Sequence, residues 1–221
     1  MLKKRTLKIN ENIVYKSFLL LFVIWTFRNL LISSTDDQKT PFENSITSSI
    51  LKILIWGIFG FFYINKFDKK LPIKNNQILT NPIKIENAYP IAIIFVFYGF
   101  LRMLILHKGY YLNPDFEPSE IINKVIVAAI FEEYVFRGWF LNALMSSMNF
   151  KKANMIASAM FVFIHYPLWI ISKYPFSNIL LLSLSVFVLG YIFGQVFIKS
   201  KSLWGSVILH MLWNMISITM M

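Results

Sequence analysis

Residues 125–145 read VIVAAIFEEYVFRGWFLNALM, an apolar stretch of the length that crosses a lipid bilayer. It nevertheless carries three charged side chains, those of Glu132, Glu133 and Arg137. A charge inside the hydrocarbon is costly, so an ionisable residue there is by default a candidate for function. Both the fold and the function therefore depend on whether this stretch lies in a membrane.

The composition of the chain is that of a membrane protein. Of its 221 residues, 57% are hydrophobic and 15% are charged, whereas about a quarter of the residues in a soluble domain are charged. The apolar blocks lack period-two alternation, which favours helices over barrel strands. They predict an all-α, polytopic transmembrane helical bundle with about seven (six to eight) spans, at approximately 14–32, 46–64, 90–107, 121–147, 153–171, 178–198 and 203–220.

The basic residues lie mostly in the N-terminal tail and between apolar blocks, which accounts for a net charge of +11 without a nucleic-acid partner. Basic and acidic connections alternate, and this predicts a multi-pass protein of a cell membrane with a cytoplasmic N-terminus. Four charged residues near span ends are predicted to reach the membrane interface, namely Lys16, Arg28, Lys52 and Arg102. The absence of cysteine excludes disulfides, thiol nucleophiles and cysteine-bound metal.

Three later spans carry polar side chains well away from their ends. Besides the charged residues of the fourth span, His165 lies in the fifth, and His210 and Asn214 lie in the seventh. At 1.5 Å per helical residue, Glu132 lies roughly 11 Å below the outer end of its span, His165 roughly 9 Å and His210 roughly 16 Å. Antiparallel crossings are thus expected to bring these residues into one layer of the membrane.

Helical spacing predicts how these residues pair. Glu133 and Arg137 are four residues apart and can form an ion pair within one helix. Glu132 is turned by about 100° from Glu133, so it is predicted to remain unpaired and to face another helix. The spacing of four also places His210 with Asn214, and Phe161 with His165, on shared helical faces.

This set of residues supports hydrolysis of an amide bond by either of two routes. A desolvated carboxylate such as Glu132, together with His165, can activate water as a general base, while His210 and Asn214 stabilise the developing oxyanion. Alternatively, one carboxylate and two imidazoles, from Glu132, His165 and His210, could hold a zinc ion that activates the water. The spacing does not decide between the two routes; we slightly prefer the one without a fixed metal.

Three ordered motifs carry a family resemblance. EEYVFR at 132–137, FVFIH at 161–165 and HMLWN at 210–214 resemble the EExxxR, FxxxH and HxxxN/D motifs of the CAAX prenyl protease 2 and bacteriocin-processing (CPBP, Abi) family of intramembrane proteases. The resemblance implies a catalytic cavity inside the bilayer, with Glu132 and His165 activating water. It assigns oxyanion stabilisation to His210 and Asn214, and supporting roles to Glu133 and Arg137.

The resemblance also divides the chain and suggests a substrate. Residues 1–120 hold three spans without a recognised motif and are expected to shape substrate access, whereas residues 121–217 form the catalytic membrane domain. Members are widely described as metalloproteases, although a glutamate-dependent mechanism has been proposed for them. The cysteine-free composition, rich in Lys, Ile and Asn, suggests a bacterium, where a bacteriocin or pheromone precursor is the expected substrate.

Two readings of a different class compete with the peptidase. The buried polar pairs could serve only to bind helices together in a non-catalytic immunity or scaffold protein that binds a peptide. A proton-coupled transporter could use Glu132 and the histidines as a relay, but the sequence shows no inverted repeat that would support one.

Overall fold

The computed structural model describes residues 8–33, 40–109 and 111–220 of the chain, and within these ranges it contains helices and no β-strand. The predicted all-α polytopic bundle is therefore confirmed. The α-helices are α1 (Glu11–Ser33), α2 (Pro41–Lys52), α3 (Ile58–Phe67), α4 (Asn75–Thr80), α5 (Ile85–His107), α6 (Ala128–Glu133), α7 (Asn142–Leu144), α8 (Phe150–Phe163), α9 (Tyr166–Ile171), α10 (Phe176–Ser200) and α11 (Trp204–Met220).

Several of these helices join end to end through wider, π-helical turns. The segment π1 (Ile53–Gly57) connects α2 to α3, and π2 (Ile121–Val127) and π3 (Tyr134–Leu141) flank α6. Residues 121–144 thus form one continuous rod with Glu132 and Glu133 at the end of its central α-helical part. π-Helical turns within α-helices are found frequently at functional sites.

Five helical segments of the described ranges are long and apolar enough to cross a membrane. They are Glu11–Ile32, Pro41–Lys70, Ile85–His107, Phe150–Ile171 and Phe176–Ser200. The other two predicted spans are also helical, but the rod of residues 121–144 carries four charged side chains and α11 has 17 residues. A multi-pass membrane protein is therefore supported, and the count of seven crossings stays a prediction.

Glycines set the close contact between the α2–π1–α3 rod and the rod of residues 121–144. A methyl group on Gly57 would meet the Phe131 ring at 2.9 Å, and one on Gly60 would meet the Tyr134 ring at 2.7 Å. The residue numbers of the contacting pairs rise together along both rods, so the two rods run parallel. Alternating crossings require this direction for the predicted second and fourth spans.

The pair α8 and α10 packs through a GxxxG sequence, GYIFG at 190–194, which lets two backbones approach closely. Gly190 lies against Ser158, and Gly194 lies against Asn154, whose Nδ2 donates a hydrogen bond of 2.9 Å to the Tyr191 carbonyl oxygen. These contacts run in opposite directions along the two helices, which are therefore antiparallel. They place α8, and with it His165 beyond its end, against α10.

We expect Gly194→Ala to destabilise the bundle, because a methyl group there would overlap the Asn154 amide, at 1.9 Å from Oδ1. Overpacking of this kind costs about 2 kcal/mol, measurable as a lower thermal-unfolding midpoint in detergent. Gly109→Ala is the control, since a methyl group at Gly109 meets nothing within 4 Å. An unfolding midpoint equal to that of Gly109→Ala would contradict the close approach of α8 and α10.

Candidate active site

The four predicted catalytic side chains line one cavity of about 460 Å³. Glu132 lies on α6, in the rod of residues 121–144, which we call the central rod. His165 lies between α8 and α9, and His210 and Asn214 lie on α11. Glu132 and His210 are buried, and His165 and Asn214 are partly exposed. Side chains from three separate predicted spans thus border one cavity, and their placement in one layer of the membrane stays a prediction.

A second cavity of about 500 Å³ shares part of the lining of the first. Arg28, Asn29 and Ser48 are among the residues that line both cavities. The second cavity continues past the end of α1 and the beginning of α2 towards Glu117 and Glu120. The site thus has a polar mouth at the end of the bundle that the predicted topology places outside.

The predicted ion pair between Glu133 and Arg137 is present. Nη1 of Arg137 donates to Oε1 of Glu133 over 2.6 Å, and both side chains are buried. Nη2 of the same guanidinium donates to the Gly190 carbonyl oxygen over 2.8 Å. Its central carbon lies 4.8 Å from the centroid of the Phe161 ring and 5.4 Å from that of Phe193. Arg137 therefore ties the central rod to α8 and α10.

Glu133 also holds His210, a contact that spacing along one helix does not reveal. Nδ1 of His210 lies 3.0 Å from Oε1 of Glu133, the same oxygen that accepts from Arg137. Because this oxygen accepts, Nδ1 is the donor and carries a proton. Nε2 of His210 then points towards Glu132, 3.9 Å from Oε2, and it donates a hydrogen bond only when the ring is an imidazolium.

Glu132 is paired, contrary to the prediction that it has no partner. Its Oε1 accepts a hydrogen bond of 2.7 Å from Nζ of Lys52, on α2. The prediction that Lys52 reaches the membrane interface is therefore wrong. Its side chain is 12% exposed and is paired with Glu132. Helix α2 begins at Pro41, whereas the predicted span begins near residue 46. Lys52 therefore lies well inside the α2–π1–α3 rod, opposite the rod of residues 121–144.

A break in the helix presents His165. Helix α8 ends at Phe163, and α9 begins at Tyr166 with Pro167 in its first turn; proline has no N–H to continue the α-helical hydrogen bonds. Nδ1 of His165 lies 2.7 Å from the Phe161 carbonyl oxygen. A carbonyl only accepts, so Nδ1 carries the proton and Nε2 has a lone pair.

The aromatic ring of Phe161 lies between the two histidines. Its centroid is 5.1 Å from that of His165 and 5.9 Å from that of His210, with edge-to-face geometry at both. The predicted arrangement of Phe161 beside His165 is therefore present, and the same ring also orients His210. Trp169 also stacks on His165, with centroids 5.5 Å apart.

Asn214 uses part of its hydrogen-bonding capacity within the protein. Its Nδ2 donates over 2.7 Å to the carbonyl oxygen of Lys124, in π2. An amide NH₂ group has two donors, so the second N–H of Asn214 can serve the cavity that it lines.

Residues 115–216 match the family model described as Type II CAAX prenyl endopeptidase Rce1-like. The chain carries an Rce1-like domain. The match contains all three motifs and confirms the family resemblance, and it supports a CAAX-type membrane protease. Comparisons with curated proteins and with solved structures gave no match.

The Rce1-like domain does not supply the whole site. Lys52 and two aromatic residues of the cavity, Trp25 and Trp56, come from helices that precede the matched residues. The two indole rings are in edge-to-face contact, with centroids 5.2 Å apart. The region before the domain thus forms one wall of the cavity.

The side chains of the Rce1-like domain do not form the zinc site that was one alternative. In the described ranges, no group of three or more His, Asp or Glu side chains is arranged to hold a metal ion. Nζ of Lys52 bonds to Oε1 of Glu132, and Nδ1 of His210 bonds to Glu133. The geometry therefore fits a carboxylate held by a protein cation better than a metal ligand.

Proposed function

We propose that the protein is an intramembrane endopeptidase in which Glu132, together with His165, activates a water molecule. The observation that carries this proposal is the single cavity lined by Glu132, His165, His210 and Asn214. Structural pairs that only bind helices together need not border a common cavity. The family match supports a protease in general.

In the proposed reaction, water enters from the mouth of the site and binds between Glu132 and His165. Oε2 of Glu132 takes one proton from the water, and Nε2 of His165 accepts a hydrogen bond from the other O–H of the water. The water oxygen attacks the carbonyl carbon of the substrate. The proton then passes from Glu132 to the leaving amine nitrogen as the carbon–nitrogen bond breaks, so both products are released neutral.

The developing oxyanion would be held from α11. The second N–H of Asn214 supplies one donor, and Nε2 of His210 supplies another in the imidazolium form. Glu133 supports this role because it fixes the other nitrogen of the ring at 3.0 Å, and Arg137 in turn holds Glu133. The EExxxR motif would thus position His210 as well as provide the base.

The substrate is proposed to be a small peptide or a membrane-associated protein, such as a bacteriocin or pheromone precursor. The cavity accepts one short extended segment, since about 460 Å³ falls in the lower range of ligand sites. We place the protein in a bacterial cell membrane because its composition is cysteine-free and rich in Lys, Ile and Asn. We place its N-terminus in the cytoplasm because basic and acidic connections alternate along the chain.

The proposal is tested with the protein purified in detergent and matched pairs of candidate peptides, with and without a prenyl group on cysteine. We expect cleavage of at least one pair member. The prenyl group tests the substrate class, because cleavage only of the unmodified peptide would separate this protein from a prenyl-dependent enzyme. Absence of cleavage across candidate bacteriocin, pheromone and prenylated peptides would count against the peptidase.

We expect the cleavage rate to be unchanged by phenanthroline, because the ammonium group of Lys52 already occupies Oε1 of Glu132. The measurement compares initial rates with and without the chelator, alongside metal analysis of the same sample. A soluble zinc protease assayed in the same detergent is the control for chelation. Loss of activity that is restored by added zinc would contradict the route without a fixed metal.

A further inference from the structure

Lys52 contacts the catalytic carboxylate from outside the Rce1-like domain. It ends α2, and its side chain reaches Glu132 on the central rod, with Nζ 2.7 Å from Oε1. None of the three motifs includes this residue, and the family match begins only at residue 115.

The ammonium group of Lys52 is held by two aromatic rings as well as by the carboxylate. Nζ lies 5.4 Å from the centroid of the Trp25 ring and 5.9 Å from that of Trp56. Such rings attract a cation to their faces, most strongly when it is removed from water. Both indoles are buried, so the position of the ammonium is fixed by the packing of α1 against the α2–π1–α3 rod.

The contact distinguishes the two oxygens of Glu132. Oε1 is occupied by the Lys52 ammonium, whereas Oε2 lies 3.9 Å from Nε2 of His210, which is beyond hydrogen-bond distance. Oε2 is thus the oxygen that has capacity for another hydrogen-bond donor, and the side chain cannot rotate without breaking a buried ion pair.

We propose that Lys52 is a positioning residue that holds Oε1 of Glu132 and thereby presents Oε2 to the attacking water. The inference rests on the proposed peptidase activity and extends it, since it makes the N-terminal helices part of the catalytic machinery. A general base must lie within hydrogen-bond reach of the proton that it takes. A fixed carboxylate meets that requirement in every encounter with substrate.

The test is steady-state cleavage of the peptide that the wild-type protein cleaves. We expect Lys52→Met to lower kcat by about 100-fold, the effect of misplacing a catalytic group by about 1 Å. KM should change by less than about 3-fold, because the lysine acts on the base and not on the bound substrate. Lys52→Arg, which keeps the cation and a donor, should recover roughly a tenth of the wild-type kcat or more.

The matched control is Lys66→Met, an exposed lysine on the same rod, which should leave kcat and KM unchanged. A folded Lys52→Met variant with wild-type kcat, or with a change in KM alone, would overturn the inference and leave the peptidase proposal intact. If the wild-type protein cleaves no peptide, the proposed function fails, and the role of Lys52 fails with it.

Folding is monitored separately, because Lys52→Met leaves the Glu132 carboxylate buried without its cation. Thermal unfolding is measured for Lys52→Met, Glu132→Gln and the double variant. We expect the loss of stability caused by Lys52→Met to be smaller when Glu132 is already a glutamine. Where Lys52→Met does not fold, Lys52→Arg decides: recovery of both fold and kcat supports the inference, and recovery of the fold with kcat still lost overturns it.

Discussion

Glu132→Gln is expected to abolish peptide cleavage while leaving the fold intact. Glutamine keeps the shape of the side chain and can still accept a hydrogen bond from Lys52, which lies 2.7 Å from Oε1 in the wild-type protein. It cannot take a proton from water at neutral pH, so the rate should fall by about 10³-fold or more. Cleavage kinetics of the purified variant and its thermal-unfolding midpoint measure the two effects separately.

Glu86→Gln is the matched control, since Glu86 is exposed in the first turn of α5 and does not line the cavity. Glu132→Gln also separates an enzyme from the alternative of a non-catalytic immunity or scaffold protein. A protein that only binds a peptide should tolerate the loss of one negative charge. Unaltered cleavage in both Glu132→Gln and Glu132→Ala would show that Glu132 is not the general base.

Arg137→Met is expected to have the largest effect on stability. It removes the hydrogen bonds from the Arg137 side chain to Glu133 and to the Gly190 carbonyl oxygen, and it leaves the Glu133 carboxylate buried beside His210. Breaking a buried pair by removing one partner costs about 3–5 kcal/mol. The expected result is a much lower thermal-unfolding midpoint in detergent, or failure to accumulate in the membrane.

Removing the charge of Glu133 as well should recover part of that stability. The double variant Glu133→Gln with Arg137→Met lacks the buried carboxylate that Arg137→Met leaves without its cation, so it should unfold at a higher temperature than Arg137→Met alone. Arg102→Met, on α5 and outside the cavity lining, is the control for loss of an arginine. Equal midpoints for Arg137→Met and Arg102→Met would mean that the ion pair does not stabilise the bundle.

Contacts between residues four apart in the chain could be predicted from the sequence, because about one helical turn brings them together. The ion pair of Glu133 with Arg137 and the neighbouring rings of Phe161 and His165 both follow from a spacing of four residues. The helical class followed from long apolar blocks that lack the period-two alternation of barrel strands. Local rules were enough for these features.

Contacts between helices could not be predicted in the same way. The pairing of Lys52 with Glu132 depends on the register of two rods 80 residues apart in the chain, and that register is set by glycine contacts such as Gly57 with Phe131. The sequence offered one usable signal, a lysine inside an apolar block. A lysine at a span end usually reaches the interface, and the helix proved to begin earlier than the apolar block.

The hydrogen bonds of Asn142 bear on which part of the chain can be produced alone. This side chain is fully buried, and it exchanges two hydrogen bonds with the backbone of Ile73, which lies before the matched domain. Trp139 likewise donates to Ser17 over 3.0 Å. A fragment limited to residues 115–216 would leave these buried groups without their partners, so we expect it to fold poorly in the absence of the preceding helices.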